Sequence, residues 1–111
     1  MLDINISGHD SVTLVEVGGR VDSMSAAQLG ETLSSQIDTG NIQLVLDLIA
    51  VDYMSSAGLR EIVSGLKKVK RAGGDLRIAQ PSERVREVLE MAGLDTIFQI
   101  YDTADDAVGS F

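Results

Sequence analysis

The chain of 111 residues has room for one domain with a single core, and its net charge of −8 works against nonspecific binding to nucleic acid or anionic lipid, which reward cations. Cysteine is absent, which excludes disulfides and thiolate metal sites, and nothing points to an oxidising compartment. No long apolar segment occurs, and the opening Met1-Leu2-Asp3-Ile4-Asn5 is acidic and alternating rather than basic and apolar; a cytoplasmic protein with no direct membrane binding is expected.

Strands are expected near Asp3 to Ser7 and Val12 to Val17, with Gly8-His9-Asp10 turning between them and Gly18-Gly19 read as a further turn. Ser25 and Gln28 have capping-box spacing, and Leu29, Leu33 and Ile37 form the apolar stripe of a first helix that ends before Gly40. The run Ile42 to Leu48 is short, partly β-branched and nearly continuous, as expected of a strand buried on both faces. A second helix begins near Ser56, with Leu59, Ile62, Val63, Leu66 and Val69 on one side and Arg60, Ser64, Lys67, Lys68 and Arg71 opposite. Gly73-Gly74 reads as a turn before a strand near Leu76 to Ala79. Pro81-Ser82 then opens a helix with Val85, Val88, Leu89 and Ala92 inward, ended by Gly93. Ile97 to Tyr101 reads as a last strand, and Thr103 starts a short terminal helix. Strands alternate with helices after an initial hairpin, which implies an α/β single domain with a mixed β-sheet.

The strand-to-helix junction Val51-Asp52-Tyr53-Met54-Ser55-Ser56-Ala57-Gly58-Leu59-Arg60 is the candidate functional site. The first N–H groups of a helix lack intrahelical partners, so Ser55 or Ser56 can cap them, and the same end favours a phosphate. Enzyme readings lack their chemistry. His9 is the one histidine and reads as a turn residue, no Gly-x-Ser-x-Gly elbow is present, and neither a phosphate loop nor a dinucleotide fingerprint occurs. Asp47 and Asp52 invite comparison with a metal-dependent phosphoacceptor, yet the first strand ends without an acidic pair and the last offers no lysine. Asp47 is read as a strand-end acid or helix-end partner; no catalytic residue, metal or cofactor is expected. Residues 60 to 86 hold eight of the nine Lys and Arg against Glu61, Asp75 and Glu83, a local charge of +5 against −13 elsewhere. This is a solvated helix face or a patch for an acidic partner.

Tyr53-Met54-Ser55-Ser56-Ala57-Gly58-Leu59 resembles the phosphorylation loop of the STAS domain of bacterial anti-sigma factor antagonists, there usually aromatic-Met-Asp-Ser-Ser/Thr-Gly-Leu. The resemblance extends over nearly the whole of residues 1–111: an N-terminal strand pair, Gly19-Arg20-Val21-Asp22 before the first helix, the Leu44 to Leu48 strand, the serine loop and a closing helix. Ser55 stands where the family usually has aspartate, and Ala57 where it usually has a second hydroxyl. The resemblance implies a STAS fold and a non-enzymatic binding module that sequesters an anti-sigma factor with serine kinase activity. The resemblance further implies that phosphorylation switches such a module off and that a serine phosphatase restores it. Aligning Gly58 and Leu59 places the acceptor on Ser56, with Ser55 the alternative. Candidate partner-binding residues are Asp22, Ser23, Tyr53, Met54, Ser55, Gly58 and Leu59; Asp22 can equally be a turn acid, and Met54 and Leu59 can equally be core. A nonphosphorylated scaffold or accessory subunit of a signalling assembly or membrane transporter is the other reading of such a module.

Overall fold

The computed structural model describes residues 2–111. In chain order it contains β1 (Leu2–His9), β2 (Val12–Val21), α1 (Ala26–Asp38), β3 (Gln43–Met54), α2 (Ser56–Arg71), β4 (Asp75–Ala79), α3 (Glu83–Met91), a 3-10 turn (Leu94–Thr96), β5 (Ile100–Tyr101) and α4 (Ala104–Gly109). The five strands lie in sequence order in one sheet. β1 runs antiparallel to β2 and every later neighbour is parallel, so the sheet is mixed as expected.

The main core lies on one face of the sheet, where Leu29 and Leu33 of α1, Ile62 and Val69 of α2, and Val85 and Leu89 of α3 meet Val15, Val17, Leu44, Leu46 and Ile78. The centres of the stripes read from sequence are thus the buried faces of these helices, with Leu59, Val63 and Val88 half-buried at the margins. On the opposite face a smaller cluster of Val12, Leu14, Val45 and Ala79 is covered by Ala107 of α4. Arg77 of β4 secures that helix: its guanidinium lies 4.0 Å from the Phe111 ring, and Nη1 donates to Ser110 Oγ at 2.7 Å.

Several boundaries differ from expectation, some for local reasons and some through pairing with distant segments. The first hairpin turns at Asp10-Ser11, with Asp10 at φ 59°, and His9 remains in β1 paired with Val12. Gly18 and Gly19 are not a turn but lie inside β2, where the register with β3 shifts twice and Gly19 takes φ 103°. Between the Glu16–Asp47 and Gly18–Ala50 pairs β3 spends three residues against two, and between Gly19–Val51 and Arg20–Tyr53 it spends two against one. Each bulge inserts one residue into β3. On the main-core face the spacing therefore changes from every second residue, Leu44, Leu46 and Leu48, to every third, Leu48, Val51 and Met54, and β3 runs six residues beyond the expected end at Leu48.

The capping box at the start of α1 does not form. Ser25 makes no side-chain cap, and Gln28 Nε2 reaches instead to the Leu2 carbonyl at 3.3 Å. Ala92 is exposed at the C-cap of α3 rather than inward. β5 spans only Ile100–Tyr101, because the 3-10 turn occupies the preceding chain and Ile97 and Phe98 both bond back to the Leu94 carbonyl. Asp47 is mid-strand and 4% exposed. Its Oδ1 accepts from the N–H of Ile49 at the first bulge (3.1 Å), and Oδ2 accepts from Gln80 Nε2 at 2.8 Å. That carboxylate is committed to holding the bulge and the β4–α3 junction.

Candidate functional site

Because β2, β3 and β4 are parallel, the loops after them emerge at the same end of the sheet, the carboxyl end where α/β folds place their binding sites. Val21 closes the β2 ladder opposite Met54, so Asp22 and Ser55 follow side by side, and the Ser55 N–H donates to the Val21 carbonyl at 2.8 Å. Ser82 Oγ, after β4, donates to the Val51 carbonyl at 2.7 Å.

The two serines have different positions. Ser55 is the N-cap of α2: its backbone is extended (φ −81°, ψ 167°), its Oγ accepts from the Gly58 N–H at 3.2 Å, and its carbonyl accepts from the Leu59 N–H at 3.0 Å. Ser56 is the first residue of the helix, exposed, and its hydroxyl has no hydrogen-bond partner among the described residues. The capping alternative left open by the sequence is settled in favour of Ser55. Ser55→Ala is accordingly expected to cost about 1 kcal/mol in thermal or denaturant unfolding and Ser56→Ala much less, the loss of a cap against the loss of a solvated hydroxyl. Equal losses would contradict this division.

Gly58 is buried against β2 and β3: a Cβ there would stand 2.5 Å from Met54 Sδ and 2.6 Å from Val21 Cγ1. Met54 itself is 4% exposed and belongs to the core. These two residues support the surface from beneath. Tyr53, Leu59 and Ser55 are half-buried, and Ser23 is exposed. Across the β2–β3 pairing the Arg20 guanidinium lies 3.9 Å from the Tyr53 ring centroid, and its Nε is 3.6 Å from Asp22 Oδ2. Arg20 was absent from the expected set, because an arginine on a strand end reads as surface until its neighbour in the sheet is known.

Asp22 Oδ1 accepts from the N–H groups of Met24 and Ser25, each at 3.0 Å, so the turn role expected for it is present. Ser25 Oγ completes the loop by donating to the Arg20 carbonyl at 2.8 Å and accepting from the Asp22 N–H at 3.0 Å. These ties fix the backbone while Met24 projects at 90% exposure, an apolar side chain in the loop after β2 that the helix stripe did not absorb. The backbone N–H groups of Ser25 and Met24, then the Ser25 hydroxyl and the Arg20 charge, hold the Asp22 carboxyl below its ordinary value of 3.8. A depressed folded pKa gives stability that is complete above the unfolded value and is lost as pH falls through the folded one. The Tm advantage of wild type over Asp22→Asn should therefore be largest above about pH 5 and shrink as pH drops under 3.8; a pH-independent difference would refute that origin.

Among the described residues no helix is long and apolar enough to cross a membrane. Comparison with known proteins gives a consistent answer. The STAS domain family profile matches residues 3–107. BtrV of Bordetella bronchiseptica is 35% identical over 102 residues, covering 92% of this chain and 88% of that protein. The anti-sigma-B factor antagonist of Bacillus subtilis is 30% identical over 107 residues, covering 96% of this chain and 97% of that one. The crystal structure of an anti-sigma factor antagonist from Mycobacterium paratuberculosis superposes with a TM-score of 0.90 at 27% identity, covering 99% of this chain and 93% of that chain. With its five-stranded mixed sheet and its serine loop at the head of α2, the chain belongs to the STAS domain family.

Proposed function

We propose that this chain is an anti-sigma factor antagonist: it binds an anti-sigma factor that is also a serine kinase, and phosphorylation of Ser56 ends that binding until a serine phosphatase restores it. The observation that supports this reading is the division of labour at the loop. Ser55 takes the capping role, so Ser56 presents an exposed hydroxyl, without a hydrogen-bond partner among the described residues, at a helix N-terminus beside the Asp22 to Ser25 loop. The chain supplies the acceptor and a recognition surface, and the partner supplies ATP, Mg²⁺ and the catalytic base. The family resemblance and the relatives named as antagonists support the same reading.

The helix end suits the modification. A phosphoserine carries about −1.5 to −2 charge, and the first N–H groups of α2 favour an anion there, so the domain stays folded and the effect falls on the interface. The surface around it combines Met24, Ser23, Tyr53 and Leu59. Affinity capture from native-host lysate with Ser56→Ala and Ser56→Asp baits tests the proposal. A kinase-like anti-sigma factor held by the first and lost from the second is expected; equal capture of an assembly or transporter subunit by both would overturn it.

A further inference from the structure

Along the outer side of α2 an apolar trough runs between the helix and the end of α3, with Leu59 and Val63 on one wall and Ala92 and Leu94 on the other. It continues at Lys67 into a second recess floored by Leu66 and bordered by Arg71. The two follow α2 from Leu59 to Arg71, about 18 Å at 1.5 Å per residue. Ala92, expected to be inward from its spacing, is exposed because it lies past the last turn of α3 and faces this trough.

The charges on the rim are unusual for so acidic a chain. Arg60, Lys67 and Arg71 lie on one stripe of α2, all are exposed, and among the described residues none of them is in an ion pair. Their neighbours are paired: Lys68 Nζ lies 2.8 Å from Asp38 Oδ1, and Lys70 Nζ lies 3.5 Å from Asp75 Oδ1. Among the described residues no carboxylate lines either recess, although the chain has seventeen Asp and Glu. Cations left without internal partners along one side of an apolar floor are complementary to a surface that sets an acidic edge beside an apolar stripe.

We infer that this trough docks an acidic amphipathic helix of a partner protein, about three turns long, with its apolar side on Leu59, Val63 and Leu94 and its carboxylates on Arg60, Lys67 and Arg71. The apolar floor favours a protein over nucleic acid, whose outer surface is phosphate. The net charge of −8 disfavours an anionic membrane. The inference does not depend on modification of Ser56, since the three cations and the trough are present in the unmodified chain.

Amide NMR of the full chain, titrated with a synthetic amphipathic helix of about 14 residues carrying a leucine stripe flanked by glutamates, tests it. Saturable shifts at residues 59–71 and 92–94 are expected. The triple variant Arg60→Glu, Lys67→Glu, Arg71→Glu should weaken that peptide at least about tenfold and instead take the same peptide with lysines in place of glutamates. The inference is overturned by any of four results: no saturation, equal shifts from a sequence-scrambled acidic peptide, unchanged affinity in the triple variant, or binding of phosphatidylglycerol vesicles but not the peptide. Sedimentation of the free chain excludes a further occupant, because concentration-dependent self-association that disappears in the triple variant would assign the trough to a second copy. Circular dichroism of that variant verifies that exposed charge reversals leave the fold intact.

Discussion

Ser56→Asp is expected to weaken binding to the anti-sigma partner at least about tenfold, and phosphoserine at the same position about a hundredfold, while Ser56→Ala binds like wild type. The scale follows from about 1.4 kcal/mol per factor of ten: roughly 3 kcal/mol suffices for the phosphate, an ordinary cost for seating an unpaired charge against an apolar or acidic surface. Stability should move the other way. A carboxylate in the first turn of a helix is favoured by about 0.3–1 kcal/mol, so the Tm of Ser56→Asp should equal or slightly exceed that of wild type. This split separates a switch from damage, since a misfolded variant would lose both. Titration calorimetry with the purified partner, beside a thermal melt of each variant, reads both quantities. Equal affinities for the alanine and aspartate variants would refute the switch; a lowered Tm for Ser56→Asp would show that the position is structural.

The elements with strong periodicity were legible from the residues alone. Leu29, Leu33 and Ile37 gave α1, Ile62, Leu66 and Val69 gave α2, and Val85 with Leu89 gave α3, because each stripe is the face that packs on the sheet. The second half of β3 was not legible. Its two bulges place Leu48, Val51 and Met54 inward at a spacing of three, which matches neither a strand nor a helix template, and the cause lies in the pairing with Gly18 and Gly19 of a distant segment. The capping box failed for a similar reason. Local spacing suggested that Ser25 would bond to its own helix, but its hydroxyl has better partners in the Arg20 carbonyl and the Asp22 N–H. At the candidate site the sequence identified the serine pair but not which member caps the helix. That depends on the extended backbone of Ser55, which the end of β3 imposes through the bond from its N–H to Val21. Met24 and Arg20 are not among the contact residues expected from sequence, because a side chain becomes part of a surface only through what the fold sets beside it.

Gly58→Ala is expected to destabilise the domain by about 2 kcal/mol even though alanine is intrinsically the better helix former by about 1 kcal/mol. The added methyl would stand 2.6 Å from Val21 Cγ1 and 2.5 Å from Met54 Sδ. Met54 can swing its flexible thioether aside, but Val21 is β-branched, fully buried, and fixed at the end of the β2 ladder opposite Met54. Relief must therefore come from α2 lifting off the sheet, which would also carry Ser55 and Ser56 out of register with the Asp22 loop. For a domain of 111 residues such a loss corresponds to a fall in Tm of about 8 °C. Val21→Ala tests the cause, because in the wild-type background it opens a cavity and destabilises, whereas beside Gly58→Ala it gives the new methyl a place to go. The double variant should be more stable than the sum of the two single losses by about 1 kcal/mol or more, a coupling expected only of residues in direct contact. Strict additivity would mean that Val21 is not what requires glycine at position 58, and a Gly58→Ala variant as stable as wild type would mean that the helix start can shift without cost.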